Sequence, residues 1–89
     1  MTNASLEERI NDVWKQLEVL GYPRHVFRID RYGQNTRPDA PEHTLLISRI
    51  TLISTGFQEI CGDHRIYERN FLVALEKLHI RLRAMEEWK

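Results

Sequence analysis

The chain is short of most of what recognisable chemistry needs. One cysteine in 89 residues leaves no internal disulfide and no thiolate cluster for a metal. Four scattered glycines, with no G-x-x-x-x-G-K-[ST] or G-x-G-x-x-G, exclude the usual phosphate-cradling loops, and no H-E-x-x-H is present. No apolar run approaches the ~18 residues of a membrane span. Neither sign of charge dominates: 13 basic and 13 acidic residues give a formal net charge of zero. Non-specific nucleic-acid binders rest on a basic excess, so this balance disfavours that class. The opening Met-Thr-Asn-Ala-Ser-Leu-Glu-Glu-Arg is polar and charged, unlike a secretory signal. With one cysteine, the expected location is the cytoplasm.

What is there reads as one small α+β domain over residues 1–89. Hydrophobic residues at 42% and charged residues at 29% are ordinary for a globular chain and argue against disorder. A first helix is marked by the capping-box spacing Ser5-x-x-Glu8 and by the stripe Leu6, Ile10, Val13, Leu17 and Leu20, widened by Trp14. Gly21 can take the left-handed cap and Pro23 forbids continuation. Residues 24–32 read as a strand, Gly33 to Pro41 as a loop, and 43–54 as a second strand. A turn at Ser54-Thr55-Gly56 leads to a short strand from Phe57 to Cys61. Asp63 is placed to cap a second helix running to about Trp88, with the stripe Tyr67, Phe71, Ala74, Leu75, Leu78, Leu82 and Met85. The order is α-β-β-β-α, a small antiparallel sheet with both helices packed on one face.

The segment Leu45 to Ile53 is the most informative. As a strand it is apolar on both faces: Leu46, Ile50 and Leu52 point one way, Leu45, Ile47 and Ile53 the other. Its β-branched density favours a strand. The alternative is a helix over 40–55, started by Asp39, Pro41 and Glu42, with Leu46, Ile50, Ile53 and Phe57 at helical steps; the domain is then mostly α. Two apolar faces need cover on both sides, and two helices on one face supply only one. A partner molecule is therefore expected on the other.

Candidate contact residues gather around that face. Arg24, Arg28 and Tyr32 share a strand face with Val26, and Arg49 joins them from the neighbouring strand with Ile47. Arg31 and Arg37 extend the basic segment. Arginine outnumbers lysine ten to three, and its planar fork suits interfaces and anions. Arginine with tyrosine suits a protein interface and, as the alternative, a nucleic-acid platform. Cys61-Gly62-Asp63-His64 carries half a zinc spacing, but His25, His43 and His79 form no second pair. Cys61 with His64 or His43 as base lacks an oxyanion site and an orienting group. No catalytic residue, metal or cofactor is expected.

The α-β-β-β-α layout, carried by these helix and strand segments, resembles that of double-stranded RNA-binding domains. That family opens its second helix with a lysine-rich cluster that grips phosphates. The corresponding stretch here, Asp63-His64-Arg65-Ile66-Tyr67-Glu68-Arg69, has two acidic residues and no lysine. The small, neutral, motif-free profile is similar in kind to phage-encoded inhibitors such as anti-CRISPR proteins. The expected function is a protein-binding regulator or inhibitor that acts by contact, with another protein or a second copy of itself as partner.

Overall fold

A computed structural model describes residues 3–35, 37, 39–40 and 44–88, without the side chains of Asn3 and Ala4. His43 and the turn or helix-start residues Pro38, Pro41 and Glu42 lie outside that set. The elements are α1 (Asn3–Val19), a 3-10 turn (Arg24–Val26), β1 (Phe27–Asn35), β2 (Thr44–Leu52), β3 (Gln58–Cys61) and α2 (Tyr67–Glu87). The fold is α+β, with an antiparallel sheet of order β1-β2-β3. Thr44–Leu52 is a strand, so the helical alternative for 40–55 does not hold.

Boundaries move for local reasons. α1 starts ahead of the expected cap, so Ser5 and Glu8 lie within the helix. Its end follows the expectation closely. Gly21 takes φ +97°, its N–H reaches the Glu18 carbonyl (2.9 Å), and the Tyr22 N–H reaches that of Leu17 (2.9 Å), the pair of bonds of a Schellman cap. β1 starts at Phe27 rather than 24, because the Val26 N–H turns back to the Pro23 carbonyl (3.1 Å). It runs on through Gly33, Gln34 and Asn35, which pair with Leu46, Leu45 and Thr44 despite their turn-forming character. β3 begins one residue late, at Gln58.

α2 starts at Tyr67, and Asp63 does not cap it; Ile66, extended and without a side-chain cap bond, precedes the first turn. The cause is Asn70, fully buried on α2. Its Oδ1 accepts the His64 N–H (2.9 Å) and its Nδ2 donates to the His64 carbonyl (3.0 Å), holding the 63–66 segment out of the helix. Nδ2 also donates to the Leu46 carbonyl. That carbonyl lies one step beyond Ser48↔Cys61, the last β2–β3 pair. The Asn70 amide thus takes the place of a ladder partner where β3 leaves the sheet.

The two helices run parallel: Arg9 meets Glu76 (3.3 Å), and Tyr22, just past α1, meets Glu86 (3.4 Å). Their stripes close over one sheet face. Val13, Trp14 and Leu17 of α1 and Phe71, Leu72, Leu75, Leu78 and Leu82 of α2 form one core with Phe27, Ile50, Leu52 and Cys61. Met85, expected in the stripe, is exposed. The shortest dimension, 21 Å, is that of one helix layer on one sheet.

Candidate functional site: the outer face of the sheet

Side chains alternate along each strand, so the register decides what the uncovered face presents. Phe27, Ile29, Ile50 and Leu52 share the helix side. Arg28, Asp30 and Tyr32 of β1, Leu45, Ile47, Arg49 and Thr51 of β2, and Gln58 and Ile60 of β3 share the other.

A polar cluster occupies the middle of that face. Asp30 Oδ2 accepts from Arg49 Nε (3.2 Å) and Nη2 (3.1 Å), and from Arg28 Nε (3.3 Å). The Arg49 guanidinium lies 5.7 Å from the Tyr32 ring centroid. One carboxylate between two guanidinium groups leaves one positive charge over. Arg28 is the more exposed of the two, its side chain 65% exposed against 28% for Arg49. Thr51 Oγ1 is buried beside this cluster without a hydrogen-bond partner.

Apolar side chains flank the cluster. Leu45 and Ile60 are each 41% exposed and Ile53, at the end of β2, 61%. Ile47 differs from the expectation. It faces outward but is only 5% exposed, so it forms the floor of the face and does not stand out to meet a partner. The room for it comes from Gly62, where a Cβ would lie 2.4 Å from Ile47 Cδ1.

Of the expected contact residues, the structure brings Arg28, Tyr32 and Arg49 onto one face with the buried Ile47. It separates the others. The 3-10 turn takes Arg24 and Val26 off the strand, and Arg24 lies over the Trp14 ring (5.2 Å to its centroid). Arg31 is on the helix side, paired with Glu68 (3.4 Å) and over Phe71 (5.7 Å). Arg37 lies beyond β1, exposed, with its backbone N–H on Asn35 Oδ1 (2.9 Å). Asp30 and Ile60 were not singled out from sequence. Asp30 was legible as the residue alternating between Arg28 and Tyr32; Ile60 needed the β2–β3 register.

Cys61 is buried, and its thiol donates to Asn70 Oδ1 (3.5 Å). Among the described residues, no three His, Cys, Asp or Glu gather where a metal could be held. No helix among them is long and apolar enough to cross a membrane. On the helix side, an open cleft of about 270 Å³ between α1 and α2 is lined by Arg9, Asp12, Gln16, Glu76, His79 and Arg83 with apolar neighbours. Burial, and then Arg83, lower the His79 pKa below its ordinary value, against an opposing pull from Glu76.

The chain matches no family model, no curated protein and no solved structure.

Proposed function

We propose that the protein is a small binding module that recognises another protein through the outer face of its sheet, and that it regulates or inhibits that partner by occupying it. The carrying observation is a sheet face over which no element packs among the described residues, and on which exposed Leu45, Ile60 and Tyr32 surround an arginine-rich cluster with charge to spare. The likeness in kind to phage-encoded inhibitors accords with this reading. Nucleic-acid binding is less well supported. Of the five arginines, Arg28 and Arg49 lie on the outer face, Arg31 lies on the helix side, and Arg24 and Arg37 lie off the sheet, so they form no continuous basic platform.

The test is retention of a partner from cell extract on the immobilised full chain. A protein held by the wild type is released by Ile60→Asp and by Tyr32→Ala, both checked as folded by circular dichroism. Equal retention by both variants overturns the assignment of the face. A dimer by light scattering, dispersed by the same two substitutions, gives the face to self-association instead.

A further inference from the structure

We infer that the free edge of β1 is a docking site for an acidic, extended segment of a protein partner, which joins the sheet as a fourth strand. The inference rests on the protein-binding reading and names how the partner is held.

The backbone supplies the first reason. The Ile53 N–H donates to the Val26 carbonyl (3.1 Å) and the Leu52 N–H to that of Phe57, on the β3 side (2.8 Å). Those two bonds set the alternation of the antiparallel ladder. Arg28, Asp30, Tyr32 and Gln34 exchange bonds with β2, while Phe27, Ile29, Arg31, Gly33 and Asn35 turn theirs toward the free edge. The pairing runs through all nine residues of β1 with no bulge and no proline. From Arg31 to Asn35 every residue is exposed, and among the described residues no strand lies on that side. Edges are ordinarily kept short, bulged, broken by proline or guarded by charged side chains, and β1 has only the last of these, in Arg28, Asp30 and Arg31. β3, with four residues, is short; β1 is not.

Charge selects the occupant. Residues 24–37 contain four arginines and one aspartate in a chain of zero net charge. The aspartate, Asp30, is shared by Arg28 and Arg49, and Arg31 meets Glu68 from α2, so the surplus along the strand rests on the Arg28–Arg49 pair and on Arg37 beyond its end. A second copy pairing over the full nine residues would set Arg31 against Arg31 of that copy, and like charges directly opposite destabilise. An acidic strand meets, on one face, the Arg28–Asp30–Arg49 cluster with its one positive charge in excess, and on the other competes with Glu68 for the exposed Arg31. Phosphates could take the free N–H groups but not the carbonyls of the same residues; a strand pairs with both.

Area points the same way. Two nine-residue strands and one of four at sheet spacing give the outer face roughly 350 Å², less than half of the ~800 Å² each side of a standard interface buries. The β1 edge adjoins that face at Arg28 and Tyr32, so a segment laid along it extends the contact without a gap.

The test uses the ¹⁵N-labelled full chain and a capped eight-residue peptide of alternating Glu and Val. Amide exchange at Ile29, Arg31 and Gly33 is expected to slow at least tenfold on binding. Arg28, Asp30 and Tyr32, already bonded to β2, are unchanged. The Lys/Val counterpart binds at least tenfold more weakly. Equal binding by the Glu/Val peptide N-methylated along its whole backbone overturns the inference, because charge alone then suffices. No slowing at millimolar peptide also overturns it. Slowing without peptide that grows with protein concentration assigns the edge to a second copy, and slowing by an oligothymidylate in place of the peptide assigns it to nucleic acid. Shifts confined to the Leu45 and Ile60 amides leave the outer-face reading standing and remove the edge.

Discussion

An alanine at position 62 would place its methyl 2.4 Å from Ile47 Cδ1, a separation that real Cβ atoms do not tolerate. Gly62 has no positive φ, so the need is for room and not for backbone freedom. Gly62→Ala should cost ~1–3 kcal/mol by overpacking. Ile47→Val removes the offending Cδ1 and alone should cost ~0.5–1.5 kcal/mol. The double variant should lose less than the sum of the two, because the shortened side chain makes the room that alanine needs. Urea unfolding of the four proteins measures this; strict additivity would mean that Ile47 does not occupy the space over Gly62. The same pair shows where sequence reading stops. Alternation placed Ile47 on the outer face correctly but could not show it sinking there, because that depends on a glycine 15 residues away. Asn70 is a second case: a polar residue amid a helix stripe gave no sign that it would replace a ladder partner for Leu46. The arginine excess, by contrast, was visible, and the structure gives it a physical use. Arg24, Arg31, Arg49 and Arg81 each lie over an aromatic ring, which suits a flat guanidinium better than a lysine ammonium.

At the scale of elements, the long periodic segments were legible and their ends were not. The stripes of both helices and the two-faced character of β2 follow directly from spacing. The late start of α2 depends on Asn70 and that of β1 on the turn after Pro23, both of which act through bonds a local pattern does not show. The packing of α1 on α2 carries a pH dependence. His79 is 7% exposed on α2, with Glu76 and Arg83 beside it and Arg9 and Asp12 facing from α1. Burial first, then Arg83, hold its folded pKa below the ordinary value of about 6.5. The unfolded chain therefore takes up this proton at a higher pH than the folded one. As pH falls through 6.5 toward the lowered folded pKa, the unfolded state binds more protons and stability drops; above 6.5 the group has no effect. His79→Gln should flatten unfolding free energy between pH 7.5 and about 5.5 relative to wild type. Parallel curves for the two proteins over that range would remove His79 as the cause.

Across the whole molecule, two layers leave the sheet with one dry face and one wet face, and equivalent substitutions on the two should part company. Ile50 is fully buried beneath the helices. Ile50→Asp puts a carboxylate into the core without a partner and should cost more than ~4 kcal/mol, enough to unfold a domain of this size. Ile60 lies on the next strand, on the other face, opposite Arg49. An aspartate there meets a guanidinium across the strands, in a position open to water, so Ile60→Asp should change stability by no more than ~1 kcal/mol. Its effect belongs to the contact instead: it adds a negative charge where the face carries one positive charge in excess, and it removes one of the exposed apolar side chains of that face. Thermal unfolding of both variants decides the matter before any partner is in hand. If Ile60→Asp unfolds the free chain as readily as Ile50→Asp does, both faces are internal to the folded monomer, no surface is left uncovered, and a partner seated on the outer face is excluded together with the strand docked beside it.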